Sequence, residues 1–453
     1  MASDGLVSVG SDELPFHLVG NYAPVPDEVT VFDLAVEGAL PPELDGLLLR
    51  NGPNPRSGAS PHWFAGDGML HGLRLEAGRA LWYRNRYVRT PSFLDPEREV
   101  IGESGVDLGA GGPANTHVVE HAGRILALVE IAHPCEVDAE LETVGIRDFG
   151  GALKTAMTAH PKRCPLTGEL HFFGYGFAPP WLTYHVADAA GQLVHSTEIP
   201  VAGPTMIHDF AITEGHAVFL DLPVVLDAER ATQGGMPYAW SDSYGARVGV
   251  LPRRGVGEQT RWFEIEPCYV FHPVNAYETG DRITLDVARY PELWRERSDH
   301  FEPAHLHRFE LDLAAGRVSE TALDERRVEF PRLDERRVGR TYRFGYTMGQ
   351  FSMTTGTSRY LLKYDFKRGV GREHDFGAGR GGSEGIFVPA SAAAGEDEGF
   401  VLSFVYDSDR DCSEVVVLDA QDFEGAALAR VRLPQRVPFG FHGSWIDAEV
   451  LGR

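Results

Sequence analysis

The sequence predicts an all-β protein built from many short strands joined by tight turns. Among its 453 residues are 51 glycines and 29 prolines, a composition that favours frequent turns over long helices. Aromatic residues, which are enriched in strands, make up 10% of the chain. The run YVFHPVNAYE at 269–278 is followed by a polar turn and then by RITLDVA, which indicates strand, turn and strand. The same pattern recurs through most of the chain.

We expect a single domain over residues 1–453, because no break in composition divides the chain. Residues 1–30 are proline-rich and weakly patterned, which indicates an extended lead-in packed on the surface. The length exceeds the usual guide of about 150 residues per domain, but β-barrels and propellers routinely do so. The best helical candidates are short and lie at 150–157, 226–233 and 292–298.

Charge and cysteine content exclude several classes of protein. The net charge of −24 gives no attraction to a phosphate backbone, so nucleic acid is not an expected partner. The N-terminus lacks the pattern of a signal peptide and no 18 apolar residues run together, which predicts a soluble, cytoplasmic protein. The cysteines are scattered without a metal or disulfide pattern and are expected to be reduced: Cys135, Cys164, Cys268 and Cys412.

Four histidines recur in similar strand-turn-strand settings, which predicts one metal site built from four hairpins. Imidazole suits iron, copper, zinc and nickel, so the ligand type alone does not choose the metal. An octahedral ion held by four nitrogens keeps two positions open, which suits oxygen activation at Fe(II) better than structural zinc with its four closed positions. The segments are TAHPK, MIHDFAIT, FHPVNAYE and FGFHGSWI, and the candidate ligands are His160, His208, His272 and His442.

Three glutamates are candidates to support these histidines, because a metal-bound histidine usually donates its other ring N–H to a carboxylate or carbonyl. They are Glu130 at the end of ILALVE, Glu329 in RRVEFPR and Glu384 just before IFVP. Glu130 follows Leu128 and Val129, and a buried carboxylate without a partner would be costly. The alternative is that all three are solvated strand ends.

Three further motifs match only formally. GGSEG at 381–385 lacks the strand before it and the helix after it that a hydrolase nucleophile needs. GAGRGG at 377–382 lacks the strand and helix of a dinucleotide site. DSDRDC at 407–412 begins like a calcium loop but has cysteine where glycine is needed.

Ten segments in order give the chain a resemblance to the carotenoid cleavage oxygenases, which are non-haem iron enzymes. They are LRNGPNP, HWFAGDGMLHG, NTHVV, LALVE, TAHPK, MIHDFAIT, FHPVNAYE, EFPR, FVYD and FHGSW. The resemblance implies a seven-bladed β-propeller with a capping dome of loops and short helices, and Fe(II) on the axis. It also implies the same four histidines as ligands and the same three glutamates behind them, with His160 the histidine left without a carboxylate. Such enzymes use O2 to split a conjugated C=C bond into two carbonyl products.

The resemblance is less decisive about the substrate. The stilbenoid cleavers of the family share a lysine just before the glutamate of the LALxE strand. This chain has Val129 at that position. An apolar residue there favours a carotenoid or apocarotenoid. Tyr87 matches a tyrosine of the stilbenoid cleavers, so cleavage of a stilbenoid is the alternative. Two more distant functions stay open, a non-oxidative isomerase and a metal-free binding propeller.

A lipophilic polyene must be taken from a membrane or a carrier, and residues 222–240 offer a candidate for peripheral membrane contact. This segment contains Val224, Leu226, Met236 and Trp240, and the resemblance places it near the mouth of a substrate tunnel. The alternative is that these side chains pack within the dome.

Overall fold

The computed structural model describes residues 14–98, 100–102, 105–233, 236–297, 300–351 and 358–452. The strands within these ranges form seven antiparallel blades, two of which share one long strand and therefore one continuous sheet. The predicted all-β propeller is confirmed.

Blades 1 to 4 are separate sheets. Blade 1 contains β1 (Thr30–Phe32), β3 (Gly46–Pro53), β4 (Gly68–Glu76), β5 (Arg79–Tyr87) and β34 (Gly443–Asp447). Blade 2 contains β8 (His117–His121), β9 (Arg124–Leu128), β10 (Cys135–Val137) and β11 (Thr143–Ile146). Blade 3 contains β12 (Lys162–Arg163), β13 (Leu170–Tyr175), β14 (Leu182–Ala187) and β15 (Leu193–Glu198). Blade 4 contains β16 (Ala211–Ile212), β17 (His216–Asp221), β20 (Arg247–Pro252) and β21 (Arg261–Glu264).

The seventeen-residue strand β25 (Arg317–Leu333) joins blades 5 and 6. Blade 5 also contains β22 (Tyr269–Thr279), β23 (Arg282–Tyr290) and β24 (His305–Asp312), and blade 6 contains β26 (Phe344–Gly349), β27 (Tyr360–Asp365) and β28 (Val370–Asp375). Blade 7 contains β2 (Val36–Gly38), β29 (Arg380–Gly382), β30 (Ile386–Pro389), β31 (Gly399–Asp407), β32 (Cys412–Asp419) and β33 (Ala429–Arg432). Two small hairpins stand outside the blades: β6 (Ile101–Gly102) with β7 (Gly105–Val106), and β18 (Val224–Leu226) with β19 (Tyr238–Trp240).

Both ends of the chain close the ring of blades. The C-terminal strand β34 pairs with β3 from Gly46↔Asp447 to Arg50↔Gly443 and completes blade 1. Near the N-terminus, β2 pairs with β33 and completes blade 7. Because this closure joins distant parts of the sequence, it also holds the segment before β34 in place.

The blades pack face to face, which explains why strands such as β14 and β22 are buried along all or most of their length and are rich in apolar residues. A strand buried on both faces reads as a continuous apolar run rather than an alternating one. The first eight residues of β22 are all buried, and so are all six residues of β14.

Helices are few and short among the described residues: α1 (Pro91–Leu94) and α2 (Ala228–Gln233), with six 3₁₀ turns at Phe16–Leu18, Gly20–Tyr22, Trp63–Ala65, Leu108–Ala110, Gly257–Gln259 and Glu335–Arg337. The prediction of a helix at 226–233 is confirmed for 228–233. None of these helices is both long and apolar enough to cross a membrane.

Two of the predicted helices are wrong. Residues 150–152 belong to a turn and 153–157 are irregular, since Gly150 and Gly151 adopt left-handed φ values of 69° and 80° that interrupt a right-handed helix. In the described part of 292–298, Leu293 forms an isolated bridge with Phe301 and Trp294 has a φ of 54°, so the chain bends instead.

The described part of the predicted lead-in begins at Leu14. His17, Asn21, Tyr22 and Val25 are buried. The Asn21 side chain donates from Nδ2 to the Val437 carbonyl over 3.1 Å, which ties the lead-in to the segment that follows blade 7. Residues 1–13 lie outside the described residues.

Candidate metal centre

The four predicted histidines lie together where the blades meet. One ring nitrogen from each of His160, His208, His272 and His442 lies within 4.8 Å of the others. The Nε2 atoms are 3.0 Å apart between His160 and His442 and 3.3 Å apart between His208 and His272. His208 is half-buried and the other three are buried, so the four imidazoles form a compact nitrogen-lined site.

Equivalent positions in four blades bring the histidines together. His160, His208 and His442 come within three residues before the edge strands β12, β16 and β34 of blades 3, 4 and 1. His272 lies within β22, the edge strand of blade 5. Because these four edge strands lie on the side of their blades that faces the axis, side chains at this height converge although they are far apart in sequence.

β-bulges direct two of the site residues toward the axis. The register of β22 shifts on both sides of Pro273, directly after His272. The register of β25 shifts after Glu329, and Phe330 there adopts a left-handed φ of 51°. A bulge bends the strand and re-aims a side chain, and proline is tolerated at such points because it has no N–H for the ladder.

Three of the histidines contact a glutamate through Nδ1. The distance from His272 Nδ1 to Glu329 Oε2 is 2.6 Å, and that from His442 Nδ1 to Glu384 Oε2 is 3.2 Å. His208 Nδ1 is in direct contact with Glu130 Oε1.

The fourth histidine differs. His160 Nδ1 lies 3.9 Å from Glu130 Oε1 and makes no hydrogen bond to any described residue. The structure therefore places the three predicted glutamates behind the ring and leaves His160 without a close carboxylate of its own.

These contacts define the protonation of the ring. An Nδ1 that donates to a carboxylate is protonated, so in a neutral imidazole the Nε2 atom carries a lone pair. The Nε2 atoms then face one another at about the separation of two ligands on one ion, an arrangement that is repulsive without a cation between them. The donor set fits a divalent transition metal, for which neutral imidazole is a common ligand.

The pKa shifts favour the neutral form of His160 and His442, whereas the pKa of His208 shifts in the opposite direction. Burial, together with the neighbouring histidines, lowers the pKa values of His160 and His442 well below the usual value. Burial also disfavours a charged His208, but the charge of Glu130 and its hydrogen bond outweigh that effect and raise the pKa of His208.

Sequence reasoning missed a fifth histidine beside the ring. His117 begins β8, the edge strand of blade 2, and its ring centre lies 5.0 Å from that of His442. His117 Nδ1 is 2.8 Å from the Ala159 carbonyl oxygen, which precedes His160. The signal was present in NTHVV, which stands before a turn and a second strand just as TAHPK, MIHDFAIT and FHPVNAYE do.

An aromatic pocket adjoins the ring. The Phe330 ring centre is 5.2 Å from that of His272 and 5.1 Å from that of His442. The pocket also contains one buried cation, Arg50, whose pKa burial lowers to about 10. Its remaining side chains are mainly aromatic: Tyr22, Trp63, Met348, Phe351, Phe439 and Phe441.

Tyr87 and Val129, the predicted contacts of the substrate, do not line this pocket. Tyr87 packs with Val25, Met69 and Phe93, and its hydroxyl accepts a hydrogen bond from Asn54 Nδ2 over 2.7 Å. Val129 is 8% exposed. Sequence reasoning did not assign these residues to a pocket, because they come from separate blades and loops, although Trp63, Phe330 and Phe441 lie in the segments HWFAGDGMLHG, EFPR and FHGSW.

Most of the chain matches one protein family. Residues 22–447 match the model of the family described as retinal pigment epithelial membrane protein. The chain is 40% identical to a carotenoid cleavage oxygenase of Mycobacterium tuberculosis, over 95% of this chain and 97% of that protein. The chain belongs to this family of carotenoid cleavage oxygenases.

Solved structures of the family share the fold of the chain. The lignostilbene dioxygenase of Pseudomonas brassicacearum superposes with a TM-score of 0.87 at 31% identity, covering 97% of this chain and 100% of that one. The cobalt-substituted apocarotenoid oxygenase of Synechocystis superposes with a TM-score of 0.84 at 28% identity, covering 94% of this chain and 97% of that one.

Proposed function

We propose that this protein is a non-haem Fe(II)-dependent dioxygenase that uses O2 to cleave a conjugated C=C bond of a carotenoid or apocarotenoid into two carbonyl products. The observation that carries the proposal is the ring of four imidazoles, whose Nε2 atoms converge while three of the Nδ1 atoms contact glutamates. The name of the 40% identical relative, a carotenoid cleavage oxygenase, supports the reaction class. The enzyme is proposed to act as one propeller domain.

The residues of the chain have distinct tasks in this reaction. His160, His208, His272 and His442 would hold the ion and leave part of its surface open to small molecules. Bound Fe(II) supplies the binding and activation of O2. Glu130, Glu329 and Glu384 keep the Nδ1 protons of three histidines in place and so fix the tautomer that presents Nε2 to the ion.

The aromatic pocket supports a lipophilic substrate. Phe330 contacts two of the histidine rings and packs against Phe351 with ring centres 5.5 Å apart, so a planar polyene beside the ion would meet apolar ring faces. A substrate that reached this cluster would be held by burial of apolar area, and the ring faces would exclude water from the reacting bond.

Cleavage of a stilbenoid is the second candidate, supported by the likeness to a lignostilbene dioxygenase. One feature counts against it. Val129 is apolar and offers no charge to a phenolic oxygen. We therefore place the carotenoid substrate first.

One experiment separates these functions. Protein loaded anaerobically with iron is supplied with β-carotene, a series of apocarotenals and resveratrol, and the aldehydes are identified by mass. We expect aldehydes from a polyene and a label from 18O2 in the products. Aldehydes from resveratrol alone would establish the stilbenoid candidate, and turnover without 18O would establish a non-oxidative reaction.

Peripheral membrane contact through 222–240 stays a prediction, as does a cytoplasmic location. Val224 is buried in the hairpin of β18 and β19, while Leu226, Met236 and Trp240 are half-buried against the core. If the hairpin docks on membranes, serine at Leu226 and Trp240 should lower binding to liposomes and turnover of membrane-held substrate. Unchanged binding and turnover would show that these side chains only pack the protein.

A further inference from the structure

Two tyrosines donate hydrogen bonds to the glutamates behind the histidine ring. The Tyr175 hydroxyl lies 2.5 Å from Glu130 Oε2, and the Tyr290 hydroxyl lies 2.9 Å from Glu329 Oε1. In each glutamate the second oxygen faces a histidine, which is His208 for Glu130 and His272 for Glu329. Both carboxylates are therefore held between a tyrosine O–H and a histidine N–H.

Both tyrosines are permanent donors. Burial, together with the negative charge of the neighbouring glutamate, raises the pKa values of Tyr175 and Tyr290 well above the usual value. Each phenol therefore stays protonated, and its single proton is directed at the carboxylate. A phenol that donates to a carboxylate forms a charge-assisted hydrogen bond, which is shorter and stronger than a neutral one.

The third glutamate has no tyrosine partner in the part of the chain that the structure describes. Glu384 accepts a hydrogen bond from the backbone N–H of Gly443, as Glu329 Oε2 also does from the backbone N–H of Phe330. In addition, Arg332 Nη1 lies 3.8 Å from Glu384 Oε2. Among the described residues, the hydrogen bonds to the Glu384 carboxylate come from His442 and the Gly443 N–H and not from a tyrosine hydroxyl. The two tyrosines therefore belong specifically to the His208 and His272 arms of the ring.

We propose that Tyr175 and Tyr290 are positioning residues for the metal centre, acting through Glu130 and Glu329 on His208 and His272. Each tyrosine fixes the rotation of a carboxylate, so that the oxygen facing the histidine stays in line with Nδ1–H. This inference rests on the metal centre proposed above. It concerns how tightly the ion is held and not which bond is cleaved.

The test measures the binding of Co(II) to the metal-free protein. Calorimetry gives the affinity, and visible absorption reports the environment of the bound ion. Tyr175→Phe and Tyr290→Phe should each weaken Co(II) binding by about tenfold, the low end of the range for outer partners of metal-binding histidines. Each should also shift the absorption of bound Co(II), because the orientation of an imidazole ligand changes.

Double variants show whether each tyrosine acts through its glutamate. Tyr175→Phe should cause no further loss of affinity in a Glu130→Gln background, and its full loss in a Glu329→Gln background. Tyr290→Phe should show the reverse pattern. Equal losses in both backgrounds would mean that the tyrosines act by general destabilisation, and would overturn the proposal.

Tyr346→Phe is the matched control. Tyr346 is 0% exposed in β26, and its hydroxyl makes no hydrogen bond to any described residue. This variant should bind Co(II) as the wild type does. If Tyr175→Phe and Tyr290→Phe also bind Co(II) as the wild type does, the inference fails while the proposed function stands. If the wild type binds no Co(II), both fail.

Discussion

The two halves of the histidine ring are held in different ways. His272 and His442 each have a glutamate of their own, Glu329 and Glu384, at hydrogen-bonding distance. His160 and His208 have only Glu130 between them, and it contacts His208 while lying 3.9 Å from His160. The half with His272 and His442 is thus fixed through its side chains, with one carboxylate for each histidine. The half with His160 and His208 has one carboxylate for two histidines.

The half with the shared glutamate is fixed through its backbone. Lys162 and Asp209, close to the two histidines in sequence, form an ion pair at 2.7 Å that ties the two segments together. The Thr158 hydroxyl donates to the His208 carbonyl over 3.3 Å and accepts from the His160 N–H over 3.1 Å. A metal ligand can therefore be positioned by its main chain where no carboxylate supports its ring.

The largest expected effect is the loss of a histidine, and it should differ between the halves. His442→Ala removes an imidazole that a carboxylate holds in the binding tautomer, so measurable Fe(II) binding should disappear. His160→Ala removes the imidazole without a close carboxylate and should leave weaker but measurable binding. Anaerobic titration with Fe(II) compares the two variants. Equal losses of Fe(II) affinity would show that a carboxylate partner does not make one histidine a stronger ligand than another.

Replacement of a glutamate should have the next largest effect. Glu329→Gln keeps the shape but removes the charge that stabilises the Nδ1 proton of His272, so metal affinity should fall by roughly 10–100-fold. Glu130→Gln should lower metal affinity by at least as much, because that carboxylate lies near two histidines.

Glu278→Gln is the control for the glutamate variants. Glu278 pairs with His216 Nδ1 over 2.8 Å, which is a glutamate–histidine contact outside the ring. Its replacement should leave metal affinity unchanged, and a loss as large as that of Glu329→Gln would argue against a specific role for the ring glutamates.

A smaller effect is expected from breaking the ion pair of the shared half. Lys162→Met leaves the carboxylate of Asp209, which is 3% exposed, without its cation and should lower the free energy of unfolding by about 1–3 kcal/mol. Chemical denaturation of the metal-free protein measures this loss. The double variant Lys162→Met/Asp209→Asn should recover part of it, and no recovery would mean that the pair itself is not the cause.

The smallest effect is expected at Thr158. Thr158→Val keeps the shape and removes one hydroxyl, which should cost about 1 kcal/mol of unfolding free energy. Thr347→Val is the matched control, because Thr347 is 1% exposed and its hydroxyl makes no hydrogen bond to any described residue. If the two variants lose the same stability, the bonds of Thr158 to the histidine segments contribute nothing.

The sequence predicted the site better than it predicted its surroundings, for a physical reason. A histidine at a blade edge stands in a strand-turn-strand pattern that short-range periodicity reveals, so His160, His208, His272 and His442 could be found. Tyr175 and Tyr290 could not, because they reach Glu130 and Glu329 from 45 and 39 residues away along the chain. Phe330 reaches the ring only through a bulge with a left-handed residue, which no periodicity indicates.

Fold prediction failed in the same way at two predicted helices. The segment 150–157 has helix-forming residues such as Ala152 and Leu153, but Gly150 and Gly151 begin it with left-handed φ values. Further on, the Met157 N–H donates to the Ala132 carbonyl, so this segment is anchored near blade 2 rather than to itself. Local propensity is a weak guide where such tertiary contacts override it.

Iron content tests the central claim most directly. The protein is loaded with Fe(II) without oxygen, freed of unbound metal and analysed for iron per chain, beside a His272→Ala variant treated identically. We expect one iron per wild-type chain and none in the variant. Wild-type protein without stoichiometric iron, or a variant that retains as much iron as the wild type, would contradict the four-histidine metal centre.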